Sequence, residues 1–149
     1  MIKTYKVSSA SETEEVGRGL AEHLDTNKIK RAFIALLGEM GVGKTAFTRG
    51  FASYFGINKV KSPTFTVLNE YSGNVKLHHF DFYRIKDGDD LYSIGYDDIV
   101  ESDGYCLGEW SENILDYLPC DTIFVKISRV SNDYESEEAD KRIIEISGI

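Results

Sequence analysis

Ala32-Phe33-Ile34-Ala35-Leu36-Leu37 runs straight into Gly38-Glu39-Met40-Gly41-Val42-Gly43-Lys44-Thr45, and this junction decides the fold. Six apolar residues without alternation read as a strand covered on both faces, as in a parallel sheet. Gly38-x4-Gly43-Lys44-Thr45 then has the spacing of a phosphate-binding loop. Its glycines let backbone amides curl inward toward an anion, a lysine reaches the β and γ phosphates, and a hydroxyl serves magnesium. Beyond the loop, Phe47, Phe51 and Phe55 recur every fourth residue and Gly56 offers a C-terminal cap. Strand, loop and helix therefore follow in the order that such a loop requires.

Working outward, residues 2–7 alternate like a short strand. Ser11 with Glu14 forms a capping box ahead of Val16, Leu20 and Leu24, which predicts a helix over residues 12–25. Phe65 to Tyr71 and Val75 to Phe82 flank Ser72-Gly73-Asn74 and read as an antiparallel hairpin. Residues 87–99 carry apolar spacing for short helices, and Tyr105-Cys106-Leu107 reads as a buried strand ending near Glu109. A brief helix over residues 114–118 and a pairing of 122–130 with 142–147 complete the pattern. The expectation is one P-loop domain over residues 1–149, an α/β fold with a mostly parallel sheet, flanking helices and antiparallel hairpin additions.

Composition narrows the function classes. A chain that is 42% hydrophobic and 28% charged is globular, not disordered. Its longest apolar run falls far short of the ~20 residues that span a bilayer, and its start lacks a secretory signal, so a cytosolic location is expected. Twenty-five acidic against seventeen basic residues give a net charge of −8, which opposes broad contact with nucleic acid. Asp133, Glu135, Glu137, Glu138 and Asp140 read as a solvated loop, and Cys106 and Cys120 as buried, reduced thiols outside any metal-binding spacing.

A phosphate loop needs an acid at a neighbouring strand end to hold the metal's water shell or to orient attack. Asp81, ending Val75 to Phe80, and Glu109 are the two candidates. Ser62-Pro63-Thr64 reads equally well as a nucleotide-sensing switch or as a proline-led strand entry. His78 and His79 alternate to opposite faces and read as structural.

Taken together, Gly38 to Arg49, Ser62 to Thr66, Asn69-Glu70-Tyr71, His79-Phe80-Asp81-Phe82-Tyr83-Arg84 and Glu109-Trp110 resemble the TsaE (YjeE) family across most of residues 11–120. The resemblance implies a magnesium-dependent ATPase that serves the synthesis of threonylcarbamoyladenosine at tRNA position 37, in tRNAs reading ANN codons. It would act with TsaB and TsaD and meet tRNA only through that complex. Position by position, Glu39, Met40, Gly41, Val42, Gly43, Lys44 and Ala46 would bind the nucleotide, and Thr45 and Glu109 would hold magnesium. Asp81 would support hydrolysis, Ser62 and Thr64 would be the switch, and Trp110 would stand beside Glu109. Ser11, with Ser9 and Ala10, falls where the family approaches adenine. Gly108 departs from the aliphatic residue that members often carry before the Glu-Trp pair, which implies a looser backbone there.

The alternative is a P-loop small-molecule kinase, which would neutralise the moving phosphate with several arginines; the six here are scattered. A GTP switch would need Asn-Lys-x-Asp, and Asn58-Lys59-Val60-Lys61 ends in a lysine that cannot accept from guanine.

Overall fold

The computed structural model describes residues 2–63 and 67–149. In chain order the elements are β1 (Ile2–Val7), α1 (Ala10–Thr26), β2 (Arg31–Leu37), α2 (Lys44–Tyr54), β3 (Leu68–Ser72) and β4 (Lys76–Asp81). They continue as α3 (Gly88–Ser93), α4 (Tyr96–Glu101), β5 (Gly104–Glu109), a 3₁₀ segment (Ser111–Tyr117), β6 (Ile123–Arg129) and β7 (Arg142–Ser147).

One sheet of seven strands has the order β1-β7-β6-β2-β5-β4-β3. Its centre, β6-β2-β5-β4, is parallel, and the additions at both edges are antiparallel. The reason β2 shows no alternation is that both its faces are covered. Ile34 and Leu36 pack with Leu20, Leu24, Phe47 and Phe51 of α1 and α2, while Phe33 and Ala35 pack with Leu91 and Tyr96 on the other side. On that second face Phe33, Phe80, Phe82 and Tyr96 form a ring cluster, with centroids 5.1 to 6.5 Å apart. Offset and edge-on pairs of this kind add about 0.5–1.5 kcal/mol each beyond the area they bury.

Helices α1 and α2 meet backbone to backbone, because a Cβ on Gly17 would lie 2.2 Å from the Phe47 carbonyl oxygen and one on Gly50 would lie 1.9 Å from that of Glu14. The start of α1 differs from the sequence reading. Its N-cap is Ser9, whose hydroxyl accepts from the Glu12 amide, while Glu12 accepts from the Ser8 amide. Glu14 instead pairs with Arg49 of α2 at 2.7 Å. The buried stripe begins with Thr13 and Gly17, and the true cap lies two residues before the expected one.

Cys106 is buried as expected, but Cys120 is exposed in the turn before β6. Asp133, Glu135, Glu137 and Asp140 are exposed, as a solvated loop requires.

Candidate functional site

At the end of β2 the chain turns into the glycine loop. Gly38 takes φ +148° and lies so close to β6 that a Cβ would stand 2.5 Å from the Ile127 carbonyl oxygen. Gly43, the N-cap of α2, takes φ +122° and offers no side-chain cap, and the first turn of α2 carries no acid. The helix therefore presents open amides and the positive end of its dipole, an arrangement that attracts anions.

Lys44 is buried to 4% exposure, and its ammonium donates to the Gly38 carbonyl at 2.7 Å. The same ammonium lies 4.5 Å from the centre of the Trp110 ring. These two contacts are worth little against a phosphate charge in the same place. Thr45 stands half-buried in the first turn of α2. Arg129 and Arg142 donate to the carbonyls of Gly41 and Val42, at 3.4 and 3.2 Å, and so brace the loop through its outward oxygens.

The sheet register supplies the acids. Leu36 is paired with Glu109, and Glu109 with Asp81, so one row across β2, β5 and β4 ends in two carboxylates beside the loop. Glu109 is 8% exposed. The Asp81 carboxylate accepts from the Tyr83 amide at 2.9 Å. Its pKa is raised, chiefly by burial and further by the neighbouring Glu109 charge; the bond from the Tyr83 amide and the Lys44 charge act against the rise.

Asn113 donates to the carbonyls of Phe82 and Tyr83, and the Tyr83 ring lies 5.1 Å from that of Trp110. Those contacts tie the segment after β4 to the segment after β5. Trp110 itself takes φ +59°, in the left-handed region that is unusual for a bulky residue. Gly108 is not loose, contrary to the expectation from sequence. A Cβ there would meet Phe82 at 2.5 Å and Ser111 at 2.9 Å, so the ring cluster fills the space that a side chain would occupy.

Beside the loop lies a cavity of about 370 Å³, lined by Ser8, Ser9, Ala10, Thr13, Gly41, Val42, Gly43, Ala46, Asp140 and Arg142. It is large enough for a purine base and opens between the start of α1 and the phosphate loop. Ser11 is exposed and does not line it, whereas Ser9 and Ala10 do. A larger groove, about 910 Å³, is lined by Ile29, Val75, Ile99 and Tyr105 with charged residues around them, and takes no part of the glycine loop.

The structure thus brings together Gly41, Val42, Gly43, Lys44, Thr45, Asp81, Glu109 and Trp110. Glu39 and Met40 are exposed at the loop's tip. Ser62 is exposed, and no described contact joins it to Lys44, Asp81 or Glu109; Thr64 lies outside the described residues. His79, read from sequence as structural, is fully buried with its Nε2 2.7 Å from Glu109 Oε2. Only the register of β4 against β5 reveals that approach.

No cluster of three or more His, Cys, Asp or Glu among the described residues is arranged to hold a metal alone. A phosphate loop asks for less: one hydroxyl and one nearby carboxylate, with phosphate oxygens and water completing the shell. Thr45, in the first turn of α2, and Glu109, 8% exposed at the end of β5, supply a hydroxyl and a carboxylate of that kind.

The family described as "Threonylcarbamoyl adenosine biosynthesis protein TsaE" matches residues 7–142. A relative of that name from Bacillus subtilis is 40% identical over 67% of this chain; the match spans 63% of the relative's length. Another, from Treponema pallidum, is 33% identical over 80% of this chain and 86% of its own. A crystal structure of Bacillus subtilis YdiB superposes with a TM-score of 0.73 at 28% identity, covering 98% of this chain and 84% of that one. With its glycine loop, its row of strand-end acids and this match along most of its length, the chain belongs to the TsaE family.

Proposed function

We propose that the chain binds ATP with magnesium at the glycine loop and hydrolyses it in the service of tRNA threonylcarbamoyladenosine synthesis, acting with TsaB and TsaD. The family and the names of its relatives support the pathway. The observation that carries the hydrolytic reading is the row Leu36, Glu109, Asp81, which sets two carboxylates side by side at the strand ends next to the glycine loop.

In this reading the amides of Gly41 to Lys44 and the open end of α2 bind the phosphates, and the Lys44 ammonium leaves Gly38 and Trp110 to meet them. Thr45 and Glu109 would hold magnesium, and the ion would supply positive charge against the negative charge developing on transfer. Thr45 contributes its hydroxyl and Glu109 its carboxylate at that position. Asp81, turned by its bond to the Tyr83 amide, orients the attacking water. The cavity between α1 and the loop takes the base.

Arg129 and Arg142 are engaged with loop carbonyls and do not supply a charge to the leaving phosphate. Slow turnover by the chain alone is the expectation, with a partner completing the site as trans-acting arginines do in other P-loop systems.

The test is reconstitution of tRNA modification with TsaB, TsaD, the threonylcarbamoyl donor and excess tRNA. With this chain and ATP, modification continues over many cycles; with Lys44→Ala it stops near one equivalent. Equal yields with and without the chain would refute the reading, and a phosphorylated small-molecule acceptor would favour a kinase.

A further inference from the structure

We propose that His79 is a positioning residue for Glu109: its ring N–H fixes one carboxylate oxygen, so that the other faces the phosphate site. The inference rests on the reading of Glu109 given above and adds a residue to it. His79 lies on β4 two positions before Asp81, and therefore on the same face, toward α2. Its ring is entirely buried, and Nε2 approaches Glu109 Oε2 to 2.7 Å.

Neither ring nitrogen has a hydrogen-bond partner among the described residues, nor does Glu109 Oε2. The pair stands within hydrogen-bond distance but off-axis, and such bonds often tighten only when the reacting complex forms. An imidazole buried without a partner is costly, and a leucine would fill the space without that cost. What an imidazole adds is a donor aimed at one oxygen of a strand-end acid. Partners of this kind, one layer behind a ligating carboxylate, fix its orientation and leave one oxygen to act. Only the neutral Nε2–H tautomer is needed, with no change of charge.

The experiment compares wild type, His79→Gln, His79→Leu, Glu109→Gln and the double variant His79→Leu with Glu109→Gln. Glutamine keeps a donor near the Nε2 position, and leucine keeps only bulk. A fluorescent non-hydrolysable ATP analogue is titrated in EDTA and in magnesium, melting is recorded without nucleotide, and kcat and KM are measured with TsaB and TsaD. Expected for His79→Leu is metal-free affinity within about twofold of wild type, at least a tenfold loss of the gain that magnesium brings, and kcat at least tenfold lower with KM within about twofold. His79→Gln recovers most of both losses, and the double variant is no worse than Glu109→Gln. Equal behaviour of the leucine and glutamine variants, additive losses in the double variant, or losses that follow melting temperature alone would overturn the proposal. If His79→Leu does not fold, His79→Asn, whose amide is too short to reach Glu109, takes its place with the same expectations. A Glu109→Gln variant that binds magnesium nucleotide and turns over like wild type would instead overturn the reading on which the proposal stands.

Discussion

Gly17 and Gly19 stand two residues apart in α1, and alanine should act on them with opposite sign. At Gly19 an added Cβ meets nothing within 4 Å, so Gly19→Ala only removes the entropic penalty of a helical glycine. That is worth about 0.5–1 kcal/mol of added stability. At Gly17 the Cβ would lie 2.2 Å from the Phe47 carbonyl oxygen and 3.0 Å from the Phe51 amide. Those atoms are backbone and cannot turn aside, so α1 and α2 must part by roughly an ångström. Overpacking of this kind costs about 1–3 kcal/mol, which exceeds the propensity gain and leaves Gly17→Ala destabilised by roughly 1–2 kcal/mol. For a chain of this length each kcal/mol moves the melting point by about 2–4 °C. Urea unfolding at 25 °C and thermal melts measure both variants. The displacement also moves Ser9, Ala10 and Thr13 away from Gly41 to Gly43, so Gly17→Ala should bind nucleotide more weakly while Gly19→Ala binds it normally. A Gly17→Ala protein as stable as wild type would refute the packing argument.

Two further outcomes follow from burial. Burial pushes the Cys106 thiol up to about 12, whereas Cys120 is exposed, so Ellman's reagent at pH 8 should titrate one thiol quickly in the native chain and a second only after denaturation. Two fast thiols would contradict the placement of Cys106 in the buried cluster with Phe33 and Phe80. Asp81 has a folded pKa raised above the usual 3.8, so the folded chain holds its proton more tightly than the unfolded one. Its contribution to stability is present below the unfolded value and is lost as pH rises through the folded one. Asp81→Asn keeps an oxygen for the Tyr83 amide and lacks that loss. Its stability relative to wild type should therefore climb with pH across that window and level off above it, and a flat or falling difference in denaturation midpoints would reject the assignment.

The central strand, the loop and the helix of the P-loop unit were legible because each leaves a local signal: an unbroken apolar run, a fixed spacing of glycines, a four-residue repeat of phenylalanine. The hairpin and the last strand pair were legible from alternation and turn residues. The helix cap was misread because Ser9 and Ser11 each have a glutamate three residues on, and only the contact of α1 with α2 decides which serine lies outside the helix. Cys120 reads from the sequence as a buried thiol like Cys106, yet its turn faces solvent.

Asp81 and Glu109 were found as strand-end acids, while their adjacency depends on β5 lying between β2 and β4, an order that local sequence does not encode. His79 was passed over for the same reason, since its alternation shows a face but not what stands across it. The space at Gly108 is set by Phe33, Phe82 and Ser111, which converge on it from separate segments.

The most direct measurement is magnesium-dependent ATP hydrolysis by wild type, Lys44→Ala and Glu109→Ala, each alone and with TsaB and TsaD. The account predicts slow turnover alone, clear stimulation of wild type by the partners, and loss of that stimulation in both variants. Unstimulated turnover that persists undiminished in Glu109→Ala would contradict it.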